Sequence, residues 1–332
     1  MPFYDNNFNI SDSVHSISKV TALLPYIIKH NILVVSMDEF NEVSVDSFFE
    51  NASVHNIELV FIYEWSGWAS LPHNINNFPI QTFVFHYDFT LIPSSNYFYY
   101  PQWLLFVQWY KHLINDINPL YMFCCACRYF NHGRPGKIYN YELLKKKSYY
   151  DKILITKFKV GDFERSLIPE LTNESLLNAF CLDYITWDSA PELVSTMSII
   201  DIDVYKHSLF HIIAETRIEE PLLSEKTFKI FSAGQIPIMC GARHAIKHLR
   251  ELGFDVFDDI VDHSYDNIEN WKERINAMHV SLDKLVELDQ LTLIKETEQR
   301  RISNNIHLHS VELTNTIIWP IVDIITLNTF VQ

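Results

Sequence analysis

The sequence predicts an α/β fold whose strands run parallel. Three observations lead there. Short apolar runs bounded by polar turns recur along the chain, as strands buried on both faces require. Segments with helical spacing or helix-start residues lie between them, the alternation that builds a parallel sheet. Residues 209–257 show it without a break: apolar run, capped helix, apolar run, second helix, apolar run.

Taken in order, residues 31–36, 57–63 and 79–86 read as strands, with helices expected over 13–29, near 45–51 and over 101–115. The aromatic-rich stretch 92–100 reads as a loop. A second domain is expected to open at 121–127 (YMFCCAC), after Asn118-Pro119. A Gly/Pro-containing loop (131–136), a helix (137–150) and a strand (152–158) follow, and residues 160–208 carry no readable pattern. In the 209–257 segment, residues 209–214, 236–240 and 254–257 read as strands. One helix opens at Ser224-Glu225-Lys226 and another ends at Gly253. From residue 267, Trp271, Ile275, Met278, Leu282 and Leu285 follow 3.6 spacing on one helix face, and helix is expected to about 327 with Pro320 as a break. The expected domains are 1–118, 119–265 and a helical C-terminal segment, 266–332, packed on both.

A length of 332 residues is long for one domain and comfortable for two. The 48 % apolar content supplies packed cores, and the net charge of −15 argues against a broad electrostatic footprint on nucleic acid. A local basic cleft remains open, because Lys145-Lys146-Lys147 and residues 128–137 concentrate positive charge. The N-terminus lacks a basic start followed by an apolar run, so no signal peptide is read. The greasiest stretch, 103–110, is too short to span a bilayer. Five cysteines, three of them crowded at 124, 125 and 127, form no disulfide framework. A cytoplasmic protein is expected.

The helix start carries the most chemistry. Ser224 can cap the helix, and Glu225 suits its positive end. Lys226 does not, because a cation in the first turn opposes the dipole. A phosphate bound at that terminus explains both charges together, whereas capping and dipole balance explain only Ser224 and Glu225. Glu215, directly after an apolar run, reads as a site residue that orients Lys226 or touches a ligand. Glu219 and Glu220 read as solvated charge. Arg128, Arg134 and Lys137 follow the first strand of the second domain, where a loop of a doubly wound sheet faces a pyrophosphate; an ordinary basic loop is the other reading.

Ser224-Glu225-Lys226, with Phe228, Gly234, Pro237, Ile238 and Gly241 behind it, resembles the donor-binding domain of the α1,3-fucosyltransferases. Ile212-Ile213-Ala214-Glu215 matches that family's strand ending in Glu, and Phe257-Asp258-Asp259 echoes a downstream segment. Phe123 to Cys127, then Arg134 and Lys137, occupy the places of its Cys-containing strand and following cation. The likeness covers about residues 121–275; the first third of the chain matches no named family. Leu222 stands where the family has an aromatic residue, and Lys137 where it has Arg, so no particular base or sugar is implied.

The resemblance implies a GT-B architecture, two Rossmann-like domains facing each other across a cleft. It implies a glycosyltransferase moving a hexose or pentose from a nucleoside-diphosphate sugar to an acceptor hydroxyl. On that carry-over Glu225 binds the donor ribose, while Lys226 and Arg134 or Lys137 meet the pyrophosphate. The nucleotide sugar is then a co-substrate, with neither cofactor nor metal expected. An inverting transfer needs a base; Glu64, after the second strand, leads the candidates, followed by Asp38 and Glu39. The acceptor is a glycan, a small molecule or a modified nucleic-acid base.

Other constellations give the alternatives. Asp201-Ile202-Asp203 is a D-x-D, whose paired carboxylates suit a hard divalent cation; it supports a metal-dependent phosphoryl or nucleotidyl transferase. A catalytically inactive nucleotide-sugar-binding module is the third reading. Cys124, Cys125 and Cys127 with His132 resemble a zinc set only superficially, since alternation along a strand sends neighbours to opposite faces. His211 and His248 read as structural.

Overall fold

The computed structural model describes residues 32–36, 59–63, 79–86, 89, 97–99, 104, 117–126, 135–156 and 205–316. The chain divides into two compact units, Met1–Gln102 with Thr314–Gln332, and Trp103–Leu313.

The first unit carries a parallel sheet in the order β1-β2-β3-β4. Its strands are β1 (Ile32–Ser36), β2 (Leu59–Tyr63), β3 (Gln81–His86) and β4 (Tyr97–Tyr99). Register runs Ile32 to Leu59, Leu59 to Gln81 and Val84 to Tyr97. Val60, Ile62, Phe83 and Val84 are buried, as expected from their apolar runs. β4 lies inside the stretch read as a loop. Its Tyr-Phe-Tyr triplet suits a pleated surface, and it pairs with the C-terminal half of β3.

The second unit carries a parallel sheet in the order β6-β5-β7-β8. β5 (Phe123–Ala126) leads to α1 (Pro135–Lys145), which opens on a proline, and a 3₁₀ turn at Tyr150–Lys152 enters β6 (Ile153–Thr156). β7 (Phe210–Ala214), α2 (Glu225–Ser232), β8 (Ile236–Cys240) and α3 (Ala245–Glu251) follow. Every residue of β7 and β8 is buried. The core joins both strands to Phe123, Tyr141, Leu144, Met278 and Leu282. Cys124 and Cys125 are buried packing residues. α4 (Trp271–Leu285) buries the predicted stripe at Ile275, Met278, Leu282 and Leu285, and α5 (Gln290–Glu296) and α6 (Glu298–Leu308) continue the helical segment. Among the described residues no helix is long and apolar enough to cross a membrane.

Residues 254–257 are not a strand. Phe257 takes a left-handed φ of 62°, which breaks extended geometry. The backbone groups find side chains instead of a neighbouring strand. Asn304 accepts from Asp255 N–H (2.9 Å) and donates to Asp255 C=O (2.7 Å). Asp255 Oδ1 accepts from Phe257 N–H (2.8 Å), and His263 Nε2–H donates to Val256 C=O (2.9 Å). Phe254 stacks on Phe231 at 4.2 Å between centroids. The apolar residues of this segment are buried as the pattern requires, but the polar backbone is satisfied differently.

β8 is the outermost described strand of its sheet. Ile236 N–H bonds to Leu209 C=O, so alternation sends positions 237 and 239 outward. Pro237 has no N–H to offer. Met239 N–H donates to the Tyr265 hydroxyl (3.0 Å), whose own proton goes to His263 Nδ1 (3.0 Å).

α2 and α3 each end in a glycine at positive φ, Gly234 (67°) and Gly253 (89°). Gln235 N–H reaches back to Ile230 C=O, and Phe254 N–H to Leu249 C=O, the six-to-one bond of a Schellman cap. α6 completes both ends: Arg301 donates to Gly234 C=O, Asn305 to Ser232 C=O and His307 Nε2 to Leu252 C=O. Asn304→Ala strips a partly buried backbone N–H and C=O of their partner. It should cost about 2 kcal/mol, seen as a lower urea midpoint at unchanged m-value.

Candidate functional site

The order β6-β5-β7-β8 reverses direction between β5 and β7: the chain steps outward one way to β6, then returns past β5 to β7 and β8. In open parallel sheets the crevice at such a switch, outside the carboxyl ends of the strands, is where ligands bind. The segment leaving β7 at this point is Glu215 to Ser224, and it delivers the chain to the N-terminus of α2. The start of α1 lies against the same segment, because a Cβ on Gly136 would come within 2.9 Å of Ile218 Cβ.

Glu215 is 2 % exposed, and its carboxylate is committed to α2. Oε1 accepts from Ser224 N–H (2.8 Å) and Thr227 Oγ1–H (2.6 Å), and Oε2 accepts from Ser224 Oγ–H (2.6 Å). Three donors from the first turn of α2 thus converge on this one buried carboxylate. Ser224 caps α2, its Oγ accepting from Lys226 N–H (3.3 Å). The same oxygen accepts from Lys226 Nζ (3.0 Å), which also donates to Glu225 Oε1 (2.9 Å). Glu215 thus orients Lys226 through the Ser224 hydroxyl, and Thr227 is a member of the cluster that sequence reasoning did not single out.

Glu225 and Lys226 side chains are 15 % and 17 % exposed, so this ion pair keeps some contact with solvent, whereas Glu215 and Ser224 are buried. Burial pushes the Glu225 carboxyl up. The charges of Lys226 and Lys229 and the Lys226 hydrogen bond outweigh that and hold it at about 2. The pair therefore presents a fixed anion, acceptor-only, beside a cation with three donors.

Lys137, in the first turn of α1, is 1 % exposed, and Arg217 pairs with Glu220 within the β7–α2 loop. Arg128, Arg134, Asp38, Glu39, Glu64, Asp201 and Asp203 lie outside the described residues. His211 is structural: it donates from Nδ1 to Gln235 Oε1 (2.9 Å) and stacks on Tyr205, and burial pulls it down to about 4 despite that bond. Gln235 in turn donates to Tyr205 C=O and Ser208 C=O, which fixes the entry to β7.

Sequence reasoning also missed Arg274 and Asp266. Asp266 accepts from Ile246 N–H (3.1 Å) and Lys247 N–H (3.0 Å) at the start of α3. Arg274 was legible in principle, since position 274 falls four residues before the buried Met278 and so inside the apolar stripe of α4. A charge in such a stripe signals a buried polar partner.

No protein-family model matches the sequence, and no curated protein matches it. Among solved structures the chain is similar to an α1,3-fucosyltransferase, at 11% identity and a TM-score of 0.39 over 86% of this chain and 92% of that one. It is similar to an α1,3-fucosyltransferase with GDP-fucose at 13% identity, a TM-score of 0.36, and 78% and 83% coverage. It is also similar to OtsA in its apo form, at 11% identity and a TM-score of 0.45 over 94% of this chain and 76% of that one. The family named from the Ser224 to Gly241 motif is among those found. Sequence identities this low align no individual residues.

The Glu225 pair has a pH signature. Its folded pKa lies below the unfolded value of 4.5, so the stabilisation is fully present above pH 4.5 and is lost as pH falls toward 2. Glu225→Gln should therefore be less stable than wild type at pH 6 and converge on it as the pH drops through that window. Urea melts of both proteins between pH 3 and 6 measure the difference.

Proposed function

We propose that the chain is a glycosyltransferase of GT-B type that takes a nucleoside-diphosphate sugar and passes its sugar to an acceptor hydroxyl. The observation carrying this reading is the Glu225–Lys226 pair, set at the N-terminus of α2 beside the switch point of a parallel sheet. A ligand with both hydroxyls and phosphates fits that pair. An ionised carboxylate accepts from the two hydroxyls of a ribose, and an ammonium at a helix N-terminus meets phosphate oxygens.

The proposed chemistry follows from the charges. Glycosyl transfer leaves a nucleoside diphosphate carrying new negative charge, and a preorganised cation aimed at that group lowers the barrier. Lys226 supplies it, moving its bonds from Glu225 and Ser224 to the phosphates. That exchange also releases Glu225 toward the ribose. Lys137, with Arg134 and Arg128 upstream, is assigned to the remaining phosphate charge, which makes a metal unnecessary. Glu215 holds the helix start and stays clear of the ligand. Glu64, before Asp38 or Glu39, is assigned as the base that deprotonates the acceptor hydroxyl. The acceptor is a glycan, a small molecule or a nucleic-acid base.

A thermal-shift panel of nucleotides and nucleotide sugars, with and without EDTA, tests this reading. A ligand at about 100 times its dissociation constant should add roughly 2.7 kcal/mol of stability. The shift should persist in EDTA and disappear in Lys226→Ala. Silence of the wild type toward every nucleotide would sink the reading.

A further inference from the structure

Arg274, in the first turn of α4, is 3 % exposed, and each of its hydrogen bonds ends on a backbone carbonyl. Nε donates to Gly241 C=O (3.1 Å), and Nη2 donates to Ile218 C=O (2.7 Å). Nη1 donates to Ile268 C=O (2.6 Å) and Glu269 C=O (3.0 Å). Burying a guanidinium is costly, and burial pulls Arg274 below its usual value. Such a cation persists only where the groups it ties together need tying.

Those groups are the two loops that frame the nucleotide site. Ile218 lies midway along the β7–α2 loop, between Glu215 and Ser224. Gly241 is the first residue after β8 and faces Glu215; a Cβ placed on it would stand 3.5 Å from Glu215 Cγ. One guanidinium therefore sets the gap between the loop that carries Glu215 and the strand end on which Glu215 rests. Ile218 also abuts the start of α1 through Gly136, so the same anchor fixes the side of the site holding Lys137.

We propose that Arg274 is a positioning residue for nucleoside-diphosphate binding, acting through the Ile218 and Gly241 carbonyls on the placement of Glu225 and Lys226. It rests on the nucleotide-site reading above. The device depends on shape. A planar fork with five donors spans carbonyls of three separate segments at once, which a lysine ammonium on a flexible stem cannot do.

The molecule supplies its own control. Arg301 is also buried and also donates to carbonyls, Gly234 (2.9 Å) and Ile294 (2.9 Å), but at the opposite end of α2 from Lys226. Arg274→Lys and Arg301→Lys both lose fork geometry at equal charge. The test measures melting temperature without ligand, and UDP and GDP affinity by calorimetry, for wild type and both variants. Both variants should melt lower. Arg274→Lys should weaken the preferred nucleoside diphosphate by about tenfold or more, while Arg301→Lys stays within about twofold of wild type.

Affinity of Arg274→Lys within about twofold of wild type overturns the proposal, as does an equal loss in both variants, since binding then follows global stability. If Arg274→Lys does not fold, side-chain NMR on the wild type decides instead. By reciprocity of coupling, the nucleotide should slow exchange of the Arg274 Nε–H and leave that of Arg301 unchanged. Equal response, or none, overturns the proposal. A wild type that binds no nucleoside diphosphate, here or in the thermal-shift panel, refutes the nucleotide site itself and this inference with it, a result distinct from binding that ignores Arg274.

Discussion

The second unit is organised around one buried carboxylate. The segment from Glu215 to Ser224 joins the interior strand β7 to α2, and the start of α2 leaves backbone donors that the core cannot hydrate. Glu215 answers this by turning its side chain onto Ser224 and Thr227. A carboxylate buried without donors is prohibitive, and a buried N–H without an acceptor costs about 1–3 kcal/mol. Glu215 takes the Ser224 N–H and two hydroxyls, and the Ser224 hydroxyl oxygen in turn accepts the Lys226 N–H. The strand, the loop and the helix are thereby fixed in one geometry, and Lys226 inherits its orientation from the hydroxyl that Glu215 holds.

The other end of α2 is treated with the same economy. Its glycine cap closes the last turn, and the remaining carbonyls go to Arg301 and Asn305 of α6. α2 is thus held at both termini by side chains from outside itself, although it is only eight residues long. A helix that short has little intrinsic stability. The anchor that bears on Lys226 is the one at the first turn, where Glu215 holds Ser224 and Thr227, because a charge presented on a fraying helix end has no defined address.

Much of this was readable beforehand, for physical reasons that also mark the limits. β2 (LVFIY) and β8 (IPIMC) carry no polar side chain, and in β7 (FHIIA) only His211 interrupts the apolar run, so burial and extension were legible together. Residues 254–257 are also apolar apart from Asp255, yet their direction is set by Asn304, 49 residues from Asp255 in sequence, and by the left-handed Phe257. No local pattern carries such information. β4 was hidden because aromatic triplets serve loops and strands alike. At the site, Ser224, Glu225 and Lys226 were legible because a lysine in a first helical turn is locally unfavourable and asks for a reason. The use of Glu215 as an internal anchor, and the roles of Thr227 and Arg274, depend on three-dimensional closeness that spacing along the chain does not reveal.

The outer edge of β8 has a consequence for how the protein behaves in crowded solution. A bare sheet edge is a template on which another chain can lay a strand, and proteins must block it to stay apart. Here two positions face outward and neither offers a free N–H: position 237 is proline, and the Met239 N–H is occupied by the Tyr265 hydroxyl. The Met239 N–H becomes available to another strand only when the 3₁₀ turn at Ser264–Asn267, which carries Tyr265, lifts away. The donors of this edge are therefore guarded by the local opening of that one turn, well before the sheet itself comes apart.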